Sequence, residues 1–392
     1  MMCPKVFYSI ATKLGGNGLS LVAQMACEAS TKRNILEQVV CYGSSKTCRI
    51  NKINRLYFQP AKIFSHLPSK YYYSMKRRWL DLRASHYLKK SQANIFHGWT
   101  HESLKSIKIA KSKGMVVILE RGNPHPLYSK ITLENEFKEY GKLNAFHIDD
   151  KNFFLRYFNH YRYELDEAIE EIELADFIFV NSEFCASTYK VHGVDPKKII
   201  VIPRGFNPEQ YFPRPLQKKG DPFIVVFVGE ILLRKGIKYI LEAWKKISRP
   251  QDQLLFVGVV SDEVREMMGA YTSVCKNIDC VGKQSDPSIY LQKASVFLFP
   301  SLDEGSAKVT YEAMATGLPC IFTKNSGSLA TNDSAIFVPI RSSAAIASAI
   351  VALRSDVQYR NKLGRRAQKV IGQFTWGKYQ KTLISQYQKI LN

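Results

Sequence analysis

The stretch Ser295 to Thr323, SVFLFPSLDEGSAKVTYEAMATGLPCIFT, constrains the fold of this chain more than any other. Val296 to Phe299 has the length and aromatic content of a buried strand, and Pro300, which cannot donate to a sheet ladder, ends it. The loop Ser301 to Ser306 leads into Ala307 to Ala315, a run of helix-tolerant residues stopped by Gly317 with Pro319 just beyond. Leu318 to Thr323 then reads as a second buried strand. A strand, a helix and a strand joined by short loops form a parallel pair, and sheets of this kind take ligands at the carboxyl ends of their strands. Glu304 stands at such an end.

Glu312 lies on the helix of this unit, among Val309, Ala313, Met314 and Leu318. A lone Glu on a helix is usually a solvated surface residue, because carboxylates are rarely buried unpaired. Here the helix has little polar surface, which favours a Glu that answers a ligand hydroxyl. Gly305, Ser306 and Ala307 are small residues at the helix N-terminus, where free N–H groups and the helix dipole favour an anion such as a diphosphate. The unit is built like a site for a phosphorylated sugar compound.

A chain of 392 residues exceeds a single ordinary core and suggests two domains of about 150 to 200 residues each. Lys and Arg number 56 against 34 Asp and Glu, a net charge of +22. Such a field favours anionic partners, among them nucleotide sugars, nucleic acid and an acidic membrane surface, without choosing among them. The 8 Cys form no CxxC pair and no zinc-like cluster, as expected for a reducing cytoplasm. Met1 to Ile10 lacks the pattern of a signal peptide, and no apolar run approaches the roughly 20 residues of a membrane span. The expectation is a cytoplasmic protein, with peripheral attachment to the inner membrane face as an extension of that reading.

In chain order, Val6 to Ile10 reads as a strand. It runs through Lys13-Leu14-Gly15-Gly16-Asn17-Gly18 into the helix-like segment Leu19 to Ala29. The glycines suit either a plain tight turn or a close backbone approach to a ligand, and the G-x-G-x-x-G dinucleotide spacing is absent. Strand candidates recur at Gln38 to Tyr42, Asn94 to Phe96, Met115 to Glu120, Phe177 to Asn181 and Ile199 to Ile202, mostly with helical segments between them. This alternation predicts an α/β fold with doubly wound parallel sheets. His97 follows one strand end and Glu120-Arg121 with His125 another. A His there is most often structural, but its titration range also suits proton transfer. Pro-rich, aperiodic sequence between Ile202 and Phe223 reads as an inter-domain connection. Phe223 to Val228 then opens the second domain and runs into Arg234-Lys235-Gly236, a basic pair at a strand-to-helix turn. Leu254 to Val257 and Ile278 to Val281 are further strands, the latter followed by Gly282-Lys283-Gln284.

Glu304 and Glu312 with the following AMATGLP resemble the signature of the retaining family 4 glycosyltransferases, which have the GT-B fold of two facing Rossmann-like domains with a cleft between them. The resemblance implies that Glu312 binds the donor ribose and that Glu304 lies by the transferred sugar. Gly15 and Gly16 match a double Gly that meets the donor phosphate. Lys235-Gly236 match a Lys-Gly whose cation holds the diphosphate, while Glu230 stands where the family usually has a second cation, Arg, for which Arg234 is the candidate substitute. Gly282 matches a loop beside the nucleobase, and Arg204 replaces the usual Asn of a motif at the domain boundary. His97, Glu120 and His125 become acceptor-side candidates, with Arg121 on an acceptor anion or the leaving phosphate. The implied catalytic set is Glu304, Lys235 and Arg121. Donor contacts come from Gly15, Gly16, Arg234, Lys235, Gly282, Gly305, Ser306, Ala307 and Glu312.

The domains expected are 1–207 on the acceptor side, 208–375 for the nucleotide sugar, and 376–392 as a helix crossing back to the first domain. The reaction implied moves a sugar from a UDP- or GDP-sugar to a glycan or lipid-linked acceptor, with retention. The nucleotide sugar serves as co-substrate, with no metal and no other cofactor, and no nucleic acid is expected as partner. The alternative is a catalytically inactive GT-B-like protein that binds anionic surfaces or nucleic acid. The segment Lys70 to Lys90 also admits two readings. It is either a helix packed through Tyr72, Met75, Trp79 and Leu82, or one whose Tyr71, Tyr73, Leu80 and Tyr87 interleave with cations on an anionic membrane.

Overall fold

Continuous apolar runs with short loops and intervening helices close into two parallel sheets, the form that strands buried on both faces take. The structure, a computed structural model, describes residues 3–46, 48–50, 52–56, 69–139 and 160–392. The first sheet contains β1 (Val6–Ser9), β2 (Leu36–Cys41), β3 (Ile53–Arg55), β4 (Ile95–Trp99), β5 (Val116–Arg121), β6 (Phe177–Val180) and β7 (Ile199–Val201), in the order β3-β2-β1-β4-β5-β6-β7. The second contains β8 (Ile224–Val228), β9 (Gln253–Val257), β10 (Ile278–Cys280), β11 (Val296–Phe299), β12 (Cys320–Phe322) and β13 (Ile336–Phe337), in the order β10-β9-β8-β11-β12-β13. Every pairing within the two sheets is parallel. In both, the strand order reverses beside the first strand, and a crevice for ligands opens at that switch.

The strand alternation sorts the first core into two faces. Val6 and Tyr8 pack with Val22, Ala23 and Cys27 on one side of the sheet, while Phe7, Phe96 and Val117 pack with Leu80, Ala84 and Leu88 on the other. The second core centres on Phe227, whose ring stacks on Phe299 at 5.5 Å, and on the fully buried Trp244. The helix Trp376–Lys389 returns to the first domain, where Tyr379, Leu383, Ile384 and Tyr387 join the Val6 and Tyr8 face.

Several elements differ from the sequence expectation. β3 and β13 were not anticipated, because Ile53-Asn54-Arg55 and Ile336-Phe337 are too short to form apolar runs and exist only by pairing with β2 and β12. His97 does not follow β4 but lies within it, paired in register with Tyr8 and Ile118. The helix Ser69–Lys90 packs on a different face from the one expected: Leu80 is 0% exposed and Leu82 is 45% exposed. The buried Asp81 sets this rotation, accepting the N–H groups of Lys105 and Ser106 at 2.7 and 2.9 Å and so capping the helix Leu104–Ser112. The side chains of Lys70 and Tyr71 lie outside the described residues.

The two domains close on one another through the helix Pro126–Glu139. Glu136, fully buried, accepts from Arg341 Nε at 2.9 Å and from the Tyr239 hydroxyl at 3.0 Å. The Tyr128 hydroxyl accepts from Asn325 at 2.9 Å, and Ser129 donates to Asp303 at 3.0 Å.

The return helix is anchored by polarity as well as packing. The Tyr387 hydroxyl lies 2.6 Å from His97 Nδ1, both groups being fully buried. Removing it leaves a buried ring nitrogen without its partner, so Tyr387→Phe should destabilise the protein by about 1 to 3 kcal/mol. Urea unfolding of the two forms, compared at equal m-value, checks this.

Candidate active site

Among the described residues, two cavities lie at the carboxyl ends of the strands. The larger, about 530 Å3, is lined by Asn17, Gly18, Gly122 and Asn123 from the first domain, by Arg204 and Tyr211 from the connection, and by Lys235, Gln284, Glu304, Ser306, Lys308 and Glu312 from the second. The smaller, about 300 Å3, sits over the ends of β1, β4 and β5 and includes Lys76, Arg77, His101, Glu102, Glu120 and Arg121. Leu19, Gly122 and Asn123 line both, so the two adjoin.

Glu304 is the fixed point of the larger cavity. β11 ends at Pro300, and the following loop is tied down by Leu302 N–H and Ser301 Oγ, which both donate to Arg234 O, at 2.9 and 3.1 Å. One carboxylate oxygen, Oε1, accepts from Arg234 Nη1 at 2.5 Å and from Lys235 Nζ. Burial on its own would raise the pKa of this group, but Lys235 and Arg234 outweigh it and hold the carboxyl below the ordinary Glu range. For Lys235, burial prevails over the attraction of Glu304 and lowers the pKa. Lys235 reaches the cavity wall, whereas Arg234 stands behind Glu304 and also donates to Asp303 O at 2.5 Å. Glu230, at the same turn, is exposed.

Gly236 makes that turn possible. Its φ is 76°, and a Cβ there would lie 2.3 Å from Pro300 O. Gly305 meets a similar constraint between the domains, since a Cβ would fall 1.7 Å from Gly122 O. Ser182 Oγ also donates to Gly305 O at 2.5 Å from the first domain.

The helix Lys308–Ala315 carries Glu312 at 6% exposure, paired with Lys308 Nζ at 2.8 Å and lining the same cavity as Tyr211. The amide of Ala307 donates to Ser326 O at 3.2 Å, and Ser306 Oγ engages the Tyr311 hydroxyl at 2.7 Å. Ala307 N–H is therefore not open to an anion, and the N–H groups left for one in the first turn are those of Lys308 and Val309.

Other expected site residues fall elsewhere. Gly15 and Gly16 have φ of 91° and 103° but line neither cavity; Asn17 and Gly18 reach the wall in their place. Gly282, φ 70°, also stands back, and Gln284 represents its loop. His97 is locked in the first core between Tyr387 and Glu120, whose Oε2 lies 3.2 Å from its Nε2. Glu120 and Arg121 do line the smaller cavity. Arg121 braces two loops, donating from Nε to Pro124 O at 2.9 Å, with Nη1 2.7 Å from His101 Nε2.

His125 turns away from both cavities and stacks on His192 at 4.5 Å. Arg204, to which the sequence assigned no role, does line the larger cavity. Its buried Nε and Nη2 have no partner among the described residues. The signal available for it was its substitution into a boundary motif.

The environment of His125 has a measurable consequence. Its Nδ1 accepts from Leu127 N–H at 3.3 Å, and burial, then His192 and Arg121, push its pKa down to about 3. Unfolded chains take up a proton near pH 6.5 that the native ring refuses until about pH 3. This group therefore contributes stability above pH 6.5 that is lost as the pH falls toward 3. In scanning calorimetry, His125→Gln should show a smaller drop in Tm between pH 7 and pH 5 than the parent.

Two parallel Rossmann-like domains enclosing a cleft are the GT-B fold. Sucrose-phosphate synthase from Thermosynechococcus elongatus superposes with a TM-score of 0.70 at 18% identity, covering 100% of this chain and 99% of that one. Anabaena HepE in complex with UDP superposes at 0.65 and 15% identity, covering 99% of each chain. Residues 209–370 match the family model Glycosyl transferases group 1.

Among curated relatives, the UDP-Gal:alpha-D-GlcNAc-diphosphoundecaprenol alpha-1,3-galactosyltransferase of Escherichia coli is 30% identical over 149 residues, 34% of this chain and 38% of that protein. The capsular polysaccharide biosynthesis glycosyltransferase CapM of Staphylococcus aureus is 29% identical over 156 residues, 38% of this chain and 41% of that protein. The chain thus spans about two fifths of the length of these relatives.

Proposed function

We propose that this protein is a retaining glycosyltransferase that moves a sugar from a nucleotide-sugar donor to a glycan or lipid-linked acceptor. The observation that carries the reading is Glu304, held ionised by Arg234 and Lys235 at the floor of a cavity that both domains line. The group 1 family match over residues 209–370 and the UDP in the HepE structure support it. So does the name of the Escherichia coli relative, which gives a UDP-linked sugar as donor.

In this reading the ribose hydroxyls engage Glu312 beside Tyr211, and the base lies toward Gln284 and Ser285. The diphosphate takes Lys235, the first-turn amides of Lys308 and Val309, and Arg204 from the first-domain side, groups that can neutralise its charge. The bond from the anomeric carbon to the diphosphate breaks, and the acceptor oxygen bonds on the same face. The acceptor proton passes to the departing phosphate. Glu304 lies by the sugar, and the fixed cations stabilise the charge that develops on the leaving group.

Incubation with a panel of nucleotide sugars, reading release of free nucleotide, tests the activity; no release from any donor would overturn it. Glu312→Ala should weaken donor binding by about 1.5 to 3 kcal/mol in calorimetry. Lys235→Ala should abolish most turnover, while EDTA should leave it largely intact. Loss on chelation with rescue by magnesium or manganese would contradict the metal-free account.

The helix Ser69–Lys90 divides its cations. Lys76 and Arg77 line the smaller cavity, while Lys89 and Lys90 are exposed on the outer surface. Peripheral attachment to an anionic membrane would use that outer surface, where each basic residue adds about 1 kcal/mol. Flotation with anionic but not neutral liposomes, reduced by charge reversal at Lys89 and Lys90, is the expected result.

A further inference from the structure

A third cavity, about 320 Å3, lies where the two chain segments that cross between the domains meet. Phe206 and Tyr211 of the connection and Ile371, at the end of the helix Val357–Ile371, line it, and all three are buried in the second core. Phe206 N–H donates to Phe374 O at 3.3 Å, and Phe206 bridges to Thr375. A Cβ on the neighbouring Gly205 would lie 2.3 Å from Trp376 N. The two crossings are therefore in direct contact at this cavity.

Phe212 also lines it and is 54% exposed on a backbone that is held in place. Its carbonyl accepts from Gln292 Nε2 at 2.8 Å, and Arg214 N–H donates to Thr316 O at 3.0 Å. The helix Val357–Ile371 contributes Arg365 and Lys369, which a spacing of four residues places on one face. No carboxylate lines the cavity, and neither cation has an ion pair or hydrogen bond among the described residues. Like charges at this spacing repel. The helix dipole compensates Lys369 in the last turn, but Arg365 stands a turn too early to gain from it.

A solvated surface cation needs no partner, and a single exposed aromatic residue is ordinary. Here both border one hollow with a buried apolar lining, at the lower end of the volumes of small-molecule sites, about 300 to 1000 Å3. An apolar ring alone would leave the two cations unanswered, and an inorganic anion alone would leave Phe212 in water. A ring that carries an anionic group satisfies both, through aromatic packing on Phe212 and charged hydrogen bonds from Arg365 and Lys369.

Tyr211 lines this cavity and the larger one, and Ala315, also in its lining, ends the helix that carries Glu312. One side chain is thus a wall of both. We propose that the third cavity is a second ligand site that takes a small aromatic anion, and that this ligand and a nucleotide in the larger cavity change each other's affinity through Tyr211. The coupling rests on the nucleotide reading above; the site does not. The anionic group is a phosphate or a carboxylate, and the two probes of the test distinguish them.

The full chain is titrated calorimetrically with 1-naphthyl phosphate and with 1-naphthoate. At least one should bind, and its affinity should fall at least tenfold in Arg365→Gln/Lys369→Gln and severalfold in Phe212→Ala. Arg365→Lys/Lys369→Arg should retain it, which separates loss of charge from loss of fold. Neutral 1-naphthylmethanol and inorganic phosphate should each bind at least tenfold more weakly. Failure of both probes to bind, equal affinity in the Gln double variant, or equal binding of the neutral alcohol would overturn the site.

Saturation with UDP, or with GDP if UDP does not bind, should shift the probe's Kd at least threefold, and the probe should shift the nucleotide's Kd by the same factor. Unchanged values for a nucleotide that does bind would overturn the coupling. If neither nucleotide binds, the transferase reading fails by itself, whereas probe binding that is lost in the Gln double variant still supports the site.

Discussion

The ion cluster of Glu304 with Arg234 and Lys235 is the interaction on which the second domain's ligand face depends. It joins the turn after β8 to the loop after β11, the two strands that flank the reversal of strand order. A buried carboxylate is tolerated only with such partners, and removing one of them would leave an uncompensated charge. The cluster therefore does more than supply charge to the cavity. It fixes the loop that carries Gly305 and Ser306 toward the first domain, and Arg234 O adds two further bonds to the same loop. The position of the cleft floor and its electrostatics are a single arrangement.

Closure of the cleft has its own polar anchor on the opposite flank. Glu136 of the first domain receives Arg341 and Tyr239 of the second. The return helix Trp376–Lys389 ties the end of the chain into the first core. Besides the contacts of Gly305 with Ser182 and Gly122, the domains are linked by the covalent connection, the return helix, and the polar contacts of the helix Pro126–Glu139. Motion between them has to rearrange the last of these, while the return helix stays bound through its packed aromatic side chains.

Much of the fold was legible because the strands of a doubly wound sheet are uniform apolar runs bounded by Gly and Pro, as in Val296 to Phe299 and Phe223 to Val228. Glu304 and Lys235 stand beyond strand ends, where position in the chain predicts position at the cleft, Glu312 lies on the helix that follows Glu304, and the structure places all three in one cavity. Side-chain direction was less legible. His97 and His125 both lie near strand ends, yet one sits inside β4 and the other packs on His192. The period-two alternation of β4 and the contacts of a distant helix decide the first of these. The face of Ser69–Lys90 was misjudged because a polar residue, Asp81, is buried there to cap another helix, which hydrophobic pattern alone does not reveal. Ala307 looked like an open amide, but its partner, Ser326, comes from the loop after β12.

The approach of Gly305 to Gly122 gives the cleft a mechanical stop. Backbone meets backbone across the domain boundary with no room for even a methyl group. The gap between the halves is thus set by the absence of an atom, and a single Cβ at Gly305 would act as a shim. Such a shim would leave Glu304, Lys235 and Glu312 in place on their own domain while moving Asn17, Asn123 and Arg204 outward. Holding a nucleotide and bringing a second substrate to it are then separable properties of the molecule, divided at one residue that makes no contact through a side chain.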